Sequence, residues 1–100
     1  MVRHVILWKL KDNIPADQLA SVKAGIKEGL EGLNGRIPGL EDIKVHTEGL
    51  NSSTADVMLD SLFEDESALR AYSVCPAHVE VANTKVRPFT QTRSCLDFEV

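Results

Sequence analysis

The chain has 100 residues, 43% of them hydrophobic and 26% charged. That balance fits one domain over residues 1–100 with a thin core, and excludes a disordered chain or a second domain. Its 11 basic and 15 acidic side chains leave a formal charge of −4, which argues against a nucleic-acid partner because a phosphate backbone needs a basic surface.

The two cysteines, Cys75 and Cys95, form no CxxC pair, and no apolar run reaches the length of a signal peptide or a membrane span. The expectation is a soluble, cytoplasmic protein with reduced thiols and no membrane partner.

Arg3 to Leu10 is rich in β-formers. Its two faces, His4/Ile6/Trp8/Leu10 and Val5/Leu7/Lys9, both carry bulky apolar side chains, so this strand needs cover on both sides. From Pro15, the residues Leu19, Val22, Ile26, Leu30 and Leu33 recur at spacings of three and four, which predicts an amphipathic helix over 15–33 that ends near Asn34-Gly35. Pro38-Gly39 is a turn, and Ile43, Val45 and Thr47 alternate within a second strand in 40–50.

After the polar loop Asn51-Ser52-Ser53-Thr54, the segment Ala55 to Phe63 alternates cleanly. Val57, Leu59 and Phe63 lie on one face and Asp56, Met58 and Asp60 on the other, a third strand whose acids solvate an edge. Asp65-Glu66-Ser67 caps a short helix containing Leu69 and Tyr72. The Cys75-Pro76 step interrupts it, and Pro76 opens a further helix that reaches about Arg87-Pro88. Arg93 to Val100 is a fourth strand, with Leu96, Phe98 and Val100 on one face and Cys95, Asp97 and Glu99 on the other.

This βαββαβ order predicts an α+β, ferredoxin-like fold: a four-stranded antiparallel sheet with helices on one face. The helix-free face then exposes either Ile6/Trp8/Leu10 or Val5/Leu7. Such a patch marks an interface, so the chain is expected to form a two-fold homodimer, sheet to sheet.

The opening Val2-Arg3-His4-Val5-Ile6-Leu7-Trp8-Lys9-Leu10-Lys11, the Ile37-Pro38-Gly39-Leu40 turn, Phe63-Glu64, Tyr72-Ser73-Val74-Cys75-Pro76-Ala77-His78 and the closing Leu96-Asp97-Phe98 resemble the stress-responsive A/B barrel domain family, or Dabb. The resemblance covers essentially the whole chain and implies a dimeric α+β barrel. Most members are uncharacterised and associated with stress responses. One, a plant polyketide cyclase, uses a tyrosine and a histidine for an intramolecular aldol condensation; these match Tyr72 and His78, while its amino-terminal strand histidine matches His4 and its last-strand carboxylate Asp97. Where the family often has a second histidine before Pro-Ala-His, this chain has Cys75.

Aldol chemistry needs a base beside a carbonyl and a donor for the developing oxyanion. In one unbroken helix Tyr72 and His78 would stand about 120° apart; the break at Pro76 lets them converge. At the start of its helix, His78 is expected to stay neutral, with Asp97 accepting from its other ring nitrogen. His4 and Trp8 are candidate ligand contacts.

A purely structural role fits the same residues: Tyr72 as a core aromatic, His78 satisfied by a backbone carbonyl, Asp97 at a rim and His4 hydrogen-bonded inside. Cys75 at the helix start is a possible reactive thiol. No metal or cofactor site is expected, since His4, His46 and His78 sit on separate elements. The resulting expectation is a homodimeric Dabb protein that binds a small apolar or carbonyl-containing ligand. The alternatives are a cyclase or lyase using Tyr72 and His78 and, by analogy of fold alone, a cofactor-independent or haem-using monooxygenase.

Overall fold

The computed structural model describes residues 1–100. In chain order the elements are β1 (Val2–Leu10), α1 (Leu19–Glu31), β2 (Leu40–His46), β3 (Val57–Phe63), α2 (Glu66–Val74), α3 (Pro76–Val81) and β4 (Thr90–Glu99). Short 3₁₀ turns precede α1 and β4, and a π turn, Ala82–Val86, extends α3. The strands form one antiparallel sheet in the order β2-β3-β1-β4, the ferredoxin-like α+β arrangement that the order of periodicities predicts.

Strand β1 resolves which of its faces is left open. Val2, His4, Ile6, Trp8 and Leu10 are buried on the helix side, where Ile6, Trp8 and Leu10 join Ile26, Leu30 and Leu33 in one core. Ile6/Trp8/Leu10 is therefore not the patch left over; Val5 and Leu7 are. Cross-strand pairing puts Leu96 beside Val5 and Phe98 beside Arg3, and Leu7, Leu96 and Phe98 are 42%, 65% and 40% exposed. In the middle of this face Arg3 pairs with Asp60 at 2.7 Å. Asp60 thus holds an ion pair within the open face, beyond the edge-solvating role expected of it. Asp56 lies just ahead of β3 and accepts from the Leu10 amide at 2.8 Å.

Two edge devices set the frame. Strand β2 carries a bulge at Leu40/Asp42, which breaks its alternation, and the strand ends at His46, earlier than the sequence pattern implies. The Glu31 carboxylate at the end of α1 accepts from both Lys27 Nζ and the Val45 amide at 2.9 Å, which ties α1 to the edge strand and occupies a donor that would otherwise be open to another chain.

The turn into β2 depends on Gly39. Its φ is +82°, and a Cβ there would stand 2.4 Å from Ala68 Cβ in α2, while its carbonyl accepts from the Glu64 amide at 2.8 Å. Gly35 has a similar φ of +80° but open space around it. Gly35→Ala should therefore cost only the left-handed penalty, about 1 kcal/mol, and Gly39→Ala at least about 2 kcal/mol, because α2 must also move. Urea unfolding of the two variants checks this ordering, and equal losses would remove the close approach of α2 from the account.

Candidate functional site

The site grows from the break between α2 and α3. Asp65 caps α2, its side chain accepting from the Ala68 amide at 2.8 Å. The helix stops at Val74 because Cys75 precedes a proline and takes an extended conformation, φ −65° and ψ 128°. Pro76 then starts α3, where its missing N–H costs nothing. This change of direction swings His78 back over Tyr72, and their ring centroids lie 4.1 Å apart at 37°. The predicted convergence is present.

Tyr72 is enclosed and His78 is half-buried. Tyr72 is 2% exposed and belongs to the core, in contact with Phe63 at a ring separation of 4.9 Å. Yet Tyr72 Oη and His78 Nδ1 are buried without any hydrogen-bond partner. His4, on β1, presents its ring edge-on to Tyr72 at 6.2 Å. Its carbonyl accepts from Ser61 Oγ at 2.9 Å, which locks β1 to β3 at this level.

Asp97 is not where the sequence expectation put it. Register pairs His4 with Asp97 across β1 and β4, and the Asp97 carboxylate is hydrogen-bonded to His4 Nδ1. It therefore orients His4 rather than His78, and the triad-like chain from Asp97 through His78 is absent. Cross-strand neighbours on one sheet face meet directly, whereas His78 lies on a separate layer.

Tyr72, His78, His4, Asp97 and Trp8 all line one pocket of about 520 Å³, between the sheet and the segment running from α2 to β4. Its apolar wall includes Ile6, Leu30, Leu59 and Val86. Among the pocket residues that the sequence reading did not single out as site residues are Arg87, Arg93 and Cys95. The alternation of Arg93, Cys95 and Asp97 along β4 was the available signal, but it points inward only once Asp97 is seen opposite His4. Cys75, by contrast, makes no side-chain cap bond to α3 and packs against the core.

Burial sets the protonation states. It pushes the Tyr72 phenol well above its usual range, against the opposing pull of Arg93, so Tyr72 is a neutral O–H donor. Burial pushes His78 below its ordinary value, helped by the charges of Arg87, His4 and Arg93, with the Ser73 backbone acting the other way. The neutral imidazole expected from the helix start is thus the product mainly of desolvation. Burial alone would raise Asp97, but its hydrogen bond to His4 and that ring's charge hold it low. The Cys95 thiol is raised by burial and by Asp97, so it stays protonated. The donor atoms of His4, Cys95 and Asp97 lie within 4.8 Å of one another, a spacing compatible with a metal ion, although the Arg93 charge beside them opposes a cation.

With the sheet and pocket described, family membership follows from one match. The family model of the stress responsive A/B barrel domain, Dabb, spans residues 2–100. The chain belongs to the Dabb family. An uncharacterized protein of Streptomyces coelicolor is 34% identical over 82 residues, which make up 78% of this chain and 79% of that protein. A solved structure from Bacteroides fragilis, described as a dimeric protein of unknown function with a ferredoxin-like fold, is 27% identical; it superposes with a TM-score of 0.91 over 99% of this chain and 95% of its own. A hydroxynitrile lyase from Passiflora edulis shares the fold at 17% identity and a TM-score of 0.71, over 97% of this chain and 90% of the lyase.

The lowered His78 pKa makes the stability of this Dabb fold depend on pH. The unfolded chain takes up a proton at the ordinary histidine value, 6.5, while the folded chain resists it, so the His78 contribution is present above pH 6.5 and is lost as pH falls toward the folded value. His78→Gln should flatten the melting temperature measured from pH 7 downward. A wild-type profile already flat there would contradict the burial of this ring.

Proposed function

We propose that this Dabb protein works as a homodimer, joined through its open sheet faces, and binds a small apolar or carbonyl-containing molecule in the pocket beside Tyr72 and His78. The observation that carries the ligand reading is the pair of buried, unpartnered atoms, Tyr72 Oη and His78 Nδ1, on two stacked rings that line one pocket. Leaving a polar atom buried and unpaired costs about 1–3 kcal/mol, a cost that a ligand oxygen seated beside the rings offsets. The volume suits such a molecule, because small-molecule pockets run from about 300 to 1,000 Å³.

The dimer reading rests on the face bearing Val5, Leu7, Leu96 and Phe98, which no helix covers, and on the dimeric description of the similar Bacteroides fragilis protein. Sheets stacked through such faces bury their inner side chains between them.

One observation favours acid–base chemistry as a second reading. The two rings in contact have opposite tendencies: His78 is held neutral, and Tyr72 is held as a donor. With a carbonyl oxygen at Tyr72, His78 is equipped to take a proton from the adjacent carbon, and the phenol O–H stabilises the enolate that forms. That enolate can attack a second carbonyl carbon, forming a C–C bond, or expel a leaving group. A cyclase or lyase would use this arrangement.

Trp8 is the only tryptophan in the chain and lines the pocket, so its fluorescence reports occupancy. Titration with small carbonyl compounds should change it, and Tyr72→Phe and His78→Gln should each weaken binding about tenfold. Variants that bind like the wild type would eliminate the two rings as ligand contacts. For the dimer, light scattering should give twice the chain mass at micromolar concentration, and Leu7→Asp should give a folded monomer. A monomeric wild type would overturn the sheet-to-sheet arrangement.

A further inference from the structure

The chain is acidic overall, with a formal charge of −4, yet its pocket is not. Of the residues lining it, Arg70, Arg87 and Arg93 are cationic and Asp97 alone is acidic. Asp97 is already engaged by His4, and Arg70 is paired with Glu66 at 3.2 Å. Arg87 is hydrogen-bonded only to the neutral amide of Asn83, and neither Arg87 nor Arg93 has a carboxylate within salt-bridge distance.

Arg93 is the more central of the two. It lies on β4 opposite Trp8, on the same sheet face as Cys95 and Asp97. Burial is the largest cause of the shifts at Tyr72, His78 and Cys95, while Asp97 is held low by His4 against its burial, and the Arg93 charge pulls downward on all four. Its charge therefore reaches the whole group of polar pocket side chains.

Two guanidinium groups free of carboxylates, converging on a pocket in an acidic protein, form an electrostatic trap for an anion. Guanidinium presents its donors as a planar fork that matches a carboxylate, and a charged pocket concentrates ligands of opposite sign. The exposed positions of Arg87 and Arg93 put this charge at the mouth, while Ile6, Leu30, Leu59 and Val86 form the apolar wall.

We infer that the ligand of this pocket is an amphipathic carboxylate, its apolar body held against Ile6, Leu30 and Val86 and its carboxylate at the mouth between Arg87 and Arg93. This deepens the ligand reading above and rests on it. A carbonyl within the body of such a molecule is then available to Tyr72 and His78, so the arginines set which end enters first.

The test compares octanoate with octanamide, a neutral molecule of nearly the same shape, by Trp8 fluorescence and calorimetry on the full chain at low ionic strength. Octanoate should bind about tenfold more tightly, and the difference should shrink as salt is added. Arg93→Gln and Arg87→Gln should each reduce octanoate binding and leave octanamide unchanged. Circular dichroism and elution volume verify that both variants are folded.

If octanamide binds as well as octanoate, or if neither arginine matters, the carboxylate inference is wrong and the apolar-ligand reading stands. If neither molecule binds while the variants are folded, both readings fall together.

Discussion

Strand β1 has two apolar faces and pairs with a neighbour on each edge, so every other layer of the molecule is arranged around covering it. Helix α1 and the segment from α2 to β4 cover the side bearing Ile6, Trp8 and Leu10. Nothing in the chain covers Val5 and Leu7, and β4 lies beside them with its own apolar side chains, Leu96 and Phe98, on that same open face. The consequence for β4 is an inversion of the usual pattern. Its polar side chains Arg93, Cys95 and Asp97 face the helix layer, and the space they leave there is the pocket. One constraint on β1 thus accounts for both the interaction surface and the cavity.

The pocket exists because the helical layer is discontinuous. A single helix over 66–86 would carry Tyr72 and His78 on different faces, and the Cys75-Pro76 break brings them into contact. The fold tolerates burying a phenol and an imidazole whose polar atoms have no partner because the same rings contribute aromatic packing with Phe63 and each other. Two buried polar groups held by packing alone are a local conflict of the kind that marks functional sites more than structural ones.

The sequence made the local signals readable. The spacing of Leu19, Val22, Ile26, Leu30 and Leu33, the proline break and the two-faced first strand each specify a local conformation, and the structure carries all three, with the α-helix confined to Leu19–Glu31 and Leu33 in the turn beyond it. Pairings between distant elements were harder to read. That Asp97 meets His4 and not His78 depends on a strand register that brings together residues 93 positions apart, which no periodicity encodes. The bulge at the start of β2 belongs to its pairing with β3. Arg87 and Arg93 read as ordinary surface cations until the third dimension shows which carboxylates are out of their reach.

The Arg3–Asp60 pair is a polar island beside Val5, Leu7, Leu96 and Phe98 on the open face, which Lys9 of β1 and Lys44 and His46 of β2 also share. When two such faces close on each other, the island must fall opposite something able to meet its charges, since burying it against a methyl-rich surface leaves donors and acceptors stranded. In a dimer joined through this face, the island would penalise any partner whose face lacks a matching polar centre.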